Sequence, residues 1–198
     1  MEIVTKRFLL REFTEEDEPG FLAYHSDPRY AEFYAPAEAG ADHAHERLRR
    51  FSQWATENPR LNYQLAVSAI RNPRELFGCC GLRRTKFGSH QAEMGIELAP
   101  QHWGRYAYAI EIASAMLEFG FVNLELAEVR GVSVSANARV SKLAHRYGFV
   151  EIGQRPTPDW MRARGWNQTE WQLTREGWDA TKTYKLRMNA AVKVANSA

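Results

Sequence analysis

The feature that most constrains this chain is a change of hydrophobic period near residue 63. Upstream, Leu48, Phe51 and Trp54 recur at helical spacing within residues 42–57. From residue 63 the pattern switches to strict alternation. Residues 63–70, 76–84 and 92–98 read as three strands, with Asn72-Pro73-Arg74-Glu75 as a turn signal between the first two. Short connections force neighbouring strands to run antiparallel, so the three make a meander. The period then returns to helical over residues 107–121, with Ile110, Ala113, Leu117 and Phe121 on one face, and a further strand follows at 127–135. A strand, a helix and a strand in that order predict a right-handed crossover and one parallel pair. The chain is therefore expected to be α/β, with a mostly antiparallel mixed sheet of about seven strands flanked by helices.

The remaining elements fit that frame. Residues 7–13 alternate as a strand, and Thr14 with Asp17 three residues later predicts a helix start at about residue 15, running to residue 25. Asp27-Pro28 ends it, and Asn58-Pro59 ends the next helix. Residues 138–147 read as a helix closed by Gly148, and 149–154 with 170–174 as a final antiparallel pair. The connection 156–168 is long and polar, with Trp160 and Trp166. A single domain is expected over residues 1–178, with a basic, weakly patterned tail over 179–198.

Composition excludes several classes. At 198 residues, 44% hydrophobic and 25% charged, the chain can build a core and is neither collagen-like nor largely disordered. No long apolar run is present, so neither a membrane-spanning helix nor a signal peptide is expected. A net charge of +2 gives no reason to expect nucleic acid. Cys79 and Cys80 are adjacent and cannot supply a disulfide framework, so a reducing cytoplasm is the simplest compartment. His43 and His45 are two residues apart and do not share a helix face, so no metal is expected.

One segment carries chemistry. From Ala92 to Ala107 a strand enters a loop containing Gly104 and passes straight into a helix. Free N–H groups at a helix start bind anions, and Arg105 adds positive charge. The pattern suits a phosphate or pyrophosphate; an ordinary strand-to-helix turn uses the same residues. Glu93 and Glu97 lie on one face of the strand, where one of them could accept a proton, or where both could simply face solvent.

This segment and its flanks resemble the GNAT superfamily of acetyl-CoA-dependent N-acetyltransferases, and within it the RimJ/RimL type named for ribosomal-protein N-terminal acetyltransferases. Residues 5–17 resemble that branch's opening "T-x-R-L-x-L-R-x-[FW]-x-x-x-D". Glu93-Met94-Gly95-Ile96 is similar to "E-I-G-Y", and Pro100-Gln101-His102-Trp103-Gly104-Arg105 to "P-x-x-W-G-[KR]". Asn137 followed by Tyr147-Gly148-Phe149 fits "N-x-x-S … K-x-G-F", and residues 169–178 are similar to the closing strand. In two places the chain departs from the pattern. Tyr106 stands where the loop motif has Gly or Ala, and Val140 where it has Ser, with Ser141 next.

The resemblance implies two central strands that are parallel and splayed, with the pantetheine arm of acetyl-CoA in the gap. Main-chain groups of Ile96 and Leu98 would bond that arm, and the Leu98 N–H would face the oxyanion. The loop residues Gln101, His102, Trp103, Gly104, Arg105, Tyr106 and Ala107 would hold the pyrophosphate, and Asn137 would touch the pantetheine. Glu93 or Glu97 is the implied base, with a pKa raised toward neutrality by partial desolvation, and His102 is a second possibility. Ser141, or a tyrosine further along the same helix, is the implied acid beside the sulfur.

Tyr30, Phe33, Tyr34 and Trp160, with Trp166 beside it, are implied as lining for the acceptor; the same rings could equally cover a hydrophobic edge or form a dimer contact. The implied activity is direct acetyl transfer from acetyl-CoA to a primary amine, on a protein N-terminus or a small molecule, by a monomer or homodimer without metal. An acyl-CoA-binding protein of weak activity, with a sensing or scaffold role, is the alternative. On the residues alone, a generic nucleotide-binding α/β protein remains open.

Overall fold

The computed structural model describes residues 1–84, 86 and 88–181. Eight strands form one sheet: β1 (Glu2–Val4), β2 (Phe8–Arg11), β3 (Asn62–Ala69), β4 (Asn72–Arg83), β5 (Gln91–Leu98), β6 (Glu128–Val134), β7 (Val150–Arg155) and β8 (Gln168–Thr174). Their spatial order is β1-β2-β3-β4-β5-β6-β8-β7. The helices are α1 (Glu18–His25), α2 (Pro28–Ala31), α3 (Ala41–Ala55), α4 (Tyr106–Glu118), α5 (Ala138–Arg146) and α6 (Asp159–Arg162). Another helical stretch covers residues 175–181, at the start of the expected tail; residues 182–198 lie outside the described part.

The expected meander is present as β3-β4-β5, antiparallel throughout, and β5 pairs with β6 in parallel across α4. Two differences from the sequence reading concern the sheet. The first strand, β1, was not anticipated. It is only three residues long, and a tight turn in which the Thr5 amide and hydroxyl both bond the Phe8 carbonyl folds it back on β2. The hairpin between β3 and β4 turns at Ile70 and Arg71, not over 72–75. Two register shifts in β3, at Val67/Ser68 and Ser68/Ala69, let Asn72 pair with Ala69, so the polar residues meant as a turn extend β4 instead.

The sheet separates two cores. On one face Phe8, Leu65, Phe77, Leu82 and Val129 pack under α4 and α5 with Ile112, Met116 and Leu143. On the other, Ala66, Cys79 and Leu76 meet Phe21, Tyr24, Tyr30, Ala44 and Phe51 of the first three helices. Cys79 and Cys80 are both buried and unbridged, one toward each core. The Thr14–Asp17 start is built as expected. The Asp17 carboxylate accepts from the Thr14 amide at 2.8 Å and from both terminal nitrogens of Arg11 at 2.7 and 2.8 Å. That buried pair ties α1 to β2.

Candidate active site

The sheet opens where β5 leaves β6. The parallel pairing covers only Gln91–Glu93 against Glu128–Arg130, and from Met94 onward no strand pairs with that edge of β5 among the described residues. Backbone groups in a strand alternate from side to side. The Ala99 amide donates to Phe77 of β4 at 2.8 Å, so residues 95 and 97 also turn to β4, while Ile96 and Leu98 present their main chain to the gap. One of these groups is taken: the Trp103 indole N–H donates to the Leu98 carbonyl at 2.7 Å. The Leu98 N–H and the main chain of Ile96 remain to meet a ligand.

Gly78 makes this end of β5 possible. Its φ is +149°, and a Cβ there would lie 2.0 Å from the Glu97 carbonyl oxygen. Only glycine lets β4 come this close to the strand that edges the gap.

Beyond β5 the chain makes a short turn over Pro100–His102 and enters α4 at Tyr106. Gly104 has φ +82°, and nothing lies within 4 Å of where its Cβ would be. The open space and the bare first turn of α4, which holds no acidic residue and no side-chain cap, fit an anion. Arg105 is exposed at that end and reaches the Tyr108 hydroxyl at 2.9 Å. Gln101 and Ala107 are exposed beside it. The Tyr106 side chain turns away from the loop to donate to the Lys142 carbonyl at 3.0 Å, which ties α4 to α5. Its ring therefore lies outside the loop, and its N–H stays in the first helical turn. These groups suit the pyrophosphate and pantetheine of a CoA thioester.

Asn137 caps α5, accepting from the Val140 amide at 3.4 Å. The Ser141 hydroxyl bonds back to the Asn137 carbonyl at 3.5 Å, within its own helix. His102 is buried and stacks flat on Phe77 at 3.8 Å, on the α4 side of the sheet. Burial lowers its pKa, and its Nε2 has no hydrogen-bond partner. The face opposite carries Glu97, so His102 is not placed beside that carboxylate.

Glu93 and Glu97 do share one face, but their surroundings differ. Glu93 is half-exposed between Arg83 at 3.2 Å and Arg155 at 3.5 Å. Glu97 is drawn into a polar cluster beneath α1, α2 and α3. Arg47 donates to it at 2.6 Å, and the Tyr24 and Tyr34 hydroxyls and the Cys79 thiol each donate at 3.4 Å.

The other terminal nitrogen of Arg47 donates to His25 Nε2 at 2.8 Å and to the Tyr30 oxygen at 3.1 Å. His25 Nδ1 lies 2.8 Å from the Phe21 carbonyl. That carbonyl must receive a proton, so Nδ1 carries it and Nε2 accepts. His25 is neutral, its pKa lowered to about 4 chiefly by burial, and its 3.8 Å approach to Glu97 is not an ion pair. Burial pushes Glu97 upward, yet the charge and hydrogen bond of Arg47 outweigh it and hold the carboxyl at about 2. This corrects the expectation of a raised pKa at this position. Glu97 is fixed as an anion with its charge answered.

A family model described as "Acetyltransferase (GNAT) domain" matches residues 7–150. The chain belongs to the GNAT acetyltransferase family. Among curated relatives, this GNAT chain is 25% identical over 150 residues to the "Uncharacterized N-acetyltransferase YoaA" of Bacillus subtilis (strain 168), covering 75% of this chain and 82% of that one. Solved structures share its fold. A spermidine N-acetyltransferase from Vibrio cholerae, in complex with CoA and spermine, aligns with TM-score 0.70 at 18% identity over 86% of this chain and 97% of that one. A ribosomal-protein-S5-alanine acetyltransferase from Vibrio fischeri aligns with TM-score 0.70 at 15% identity over 90% and 98%.

The GNAT fold uses acetyl-CoA as co-substrate, and the protein is an acetyltransferase. Among the described residues no group of three or more His, Cys, Asp or Glu could hold a metal ion, and no helix is long and apolar enough to cross a membrane.

The aromatic residues expected at the acceptor side of this GNAT enzyme divide into two groups. Tyr30 and Tyr34 stack at 4.4 Å within the Glu97 cluster. Phe33 points elsewhere and stacks on Trp166 at 5.9 Å, with Trp160 edge-on to Trp166 at 6.5 Å. Sequence reasoning missed Arg47, His25, Tyr24 and Cys79. A signal existed for Arg47: it lies three residues after Ala44 and four before Phe51, on the buried stripe of α3, where an arginine needs an acid. Nothing local marks Cys79 as a donor to Glu97, because the contact depends on the β4–β5 register.

Proposed function

We propose that this GNAT protein transfers the acetyl group of acetyl-CoA directly to a primary amine, with the α-amine of a peptide or protein N-terminus favoured over an alkyl amine. The observation that carries the reading is the gap beside Ile96 and Leu98, continuous with the bare N-terminus of α4. The thioester would lie along β5, the Leu98 N–H would face its carbonyl oxygen, and the diphosphate would meet the amides from Gly104 to Ala107. The amine nitrogen attacks the thioester carbon and forms the C–N bond. The C–S bond then breaks, the amine proton passes to water, and the CoA sulfur takes a proton from solvent.

Glu97 is a poor proton acceptor because Arg47 stabilises its anion at 2.6 Å. The carboxylate open to solvent is Glu93, at the root of the gap, and it relays the amine proton through water. With the Glu97 anion already answered by Arg47, an acceptor that itself loses its proton easily has the advantage. An α-amine titrates at about 8 and a lysine-type amine at about 10.4, so about a hundredfold or more of the former is neutral at pH 7.

The test is release of CoA thiol from acetyl-CoA with a panel of N-terminal peptides, small α-amines and polyamines, with the acetylated product identified by mass spectrometry. Amine-dependent release at one product per thiol supports transfer. Tight binding of acetyl-CoA with no release for any amine would leave an acyl-CoA-binding protein instead.

A further inference from the structure

Outside the Glu97 cluster, arginines and aromatic rings from four separate segments meet in one ladder. The Arg139 guanidinium, in the first turn of α5, lies 4.1 Å from the centre of the Trp103 ring and 5.9 Å from that of Phe33. Phe33 stacks on Trp166 at 5.9 Å. Arg164 lies 5.0 Å from the Trp166 ring and 5.7 Å from the Trp160 ring, and one terminal nitrogen donates to the Glu32 carbonyl at 2.7 Å. The ladder therefore joins the loop after β5, the start of α5, the α2–α3 connection and the β7–β8 connection. Its inner end is Trp103, the residue whose indole is bonded to the Leu98 carbonyl at the gap.

Most other arginines near the site are answered by acids, and Arg105, at the start of α4, bonds the Tyr108 hydroxyl instead. Arg47, Arg83, Arg130 and Arg155 all face carboxylates, and Arg162 pairs with Asp159. Arg139 and Arg164 are exposed and make no ion pair among the described residues. A guanidinium seated beside rings without an acidic partner keeps N–H groups free to receive a carboxylate; Arg164 gives one of its own to the Glu32 carbonyl and keeps the rest. Glu32, whose carbonyl Arg164 bonds, is exposed and its carboxylate pairs with neither arginine; Asp159, next to Trp160, pairs with Arg162.

Resting on the function proposed above, we infer that this ladder is a subsite for an acidic residue near the N-terminus of a peptide acceptor. An extended peptide rises about 3.3 Å per residue, so a chain whose amine reaches the gap beside Leu98 can lay its next side chains against a ladder that begins at Trp103. The rings accept the peptide's apolar surface, and the arginines select a carboxylate and repel lysine. Polyamines are rejected for the same reason.

The experiment uses the full chain and peptides that differ only in having Glu, Gln or Lys at the second and third positions. The expected order of kcat/KM is Glu over Gln over Lys, with about tenfold between the first two. In Arg139→Gln with Arg164→Gln, the Glu-over-Gln preference is expected to fall to within about twofold, with the acetyl-CoA KM unchanged. Arg139→Lys with Arg164→Lys keeps the charge and should retain part of the preference.

A parallel arm measures binding of the same peptides, fluorescently labelled at the C-terminus, to CoA-loaded protein by anisotropy, which needs no turnover. Discrimination in binding without acetylation would refute the proposed transfer and sustain the subsite. Equal binding and turnover of Glu and Gln peptides by the parent would overturn the subsite while leaving transfer intact. A glutamine double variant that loses acetyl-CoA affinity, with the peptide preference kept, would overturn it also and assign the ladder to the cofactor's phosphates.

Discussion

Removing Arg47 should convert a stabilising pair into a buried, unanswered charge. In the parent, Glu97 is held at about 2 against an ordinary value of 4.5. That gap corresponds to roughly 3 kcal/mol in favour of the folded, ionised state. Because the folded pKa is the depressed one, the contribution is fully present above pH 4.5 and is lost as pH falls through about 2. In Arg47→Met the sign reverses, since the main influence opposing burial is gone and the remaining hydrogen bonds from Tyr24, Tyr34 and Cys79 are weaker than the lost charge, so the pKa rises. Breaking a buried pair on one side costs about 3–5 kcal/mol, a drop of roughly 10 °C in Tm for a domain of this size.

The assay is thermal and urea unfolding of the parent, Arg47→Met, Glu97→Gln and the double variant, at pH 7 and at pH 4. The deficit of Arg47→Met should be largest at pH 7 and shrink at pH 4, where its Glu97 is protonated. The double variant should be more stable than Arg47→Met at pH 7. A deficit under about 1 kcal/mol at pH 7, or one that is the same at both pH values, would refute the reasoning.

Further outcomes follow from the same geometry. Gly78→Ala puts a Cβ 2.0 Å from the Glu97 carbonyl oxygen at φ +149° and should cost at least about 3 kcal/mol by urea unfolding, because neither backbone can give way. Gly104→Val meets no neighbour, so its stability cost is confined to strain at φ +82°, about 1–2 kcal/mol, while calorimetry should show acetyl-CoA affinity falling by tenfold or more. Asn137→Ala should lose about 1 kcal/mol with its cap and also weaken acetyl-CoA binding; a stability loss alone would leave Asn137 as a cap only. Glu93→Gln should lower kcat by about tenfold or more in a steady-state thiol-release assay, whereas Glu97→Gln should act mainly on stability.

The order of strands and helices was legible because period changes, Pro and Gly punctuate this chain clearly, and the loop from Gln101 to Ala107 announced itself through Gly104. The same is true of the shared face of Glu93 and Glu97, which strand alternation alone dictates. Their different fates were not legible. Glu97 is ionised because Arg47, fifty residues earlier, falls on the buried stripe of α3 and meets it on the face of the sheet that α3 covers. No local rule connects the two. His102 looked like an accessible loop histidine, yet Phe77 of β4 takes its ring into the core. The ladder was half visible: Phe33, Trp160 and Trp166 were expected on the acceptor side, but Arg139 meets Trp103 and Phe33 only through tertiary packing, and Arg164, close in sequence to Trp160 and Trp166, lies in a connection with no period to mark it.

Amide hydrogen exchange with and without acetyl-CoA tests most directly whether the gap between β5 and β6 is the cofactor site. Saturating acetyl-CoA should slow exchange at Ile96 and Leu98, which face the gap, and at Gly104 through Ala107, at the start of α4, while leaving the β1–β2 hairpin unchanged. Protection confined to another part of the sheet, or binding with no protection at residues 96, 98 and 104–107, would contradict the account.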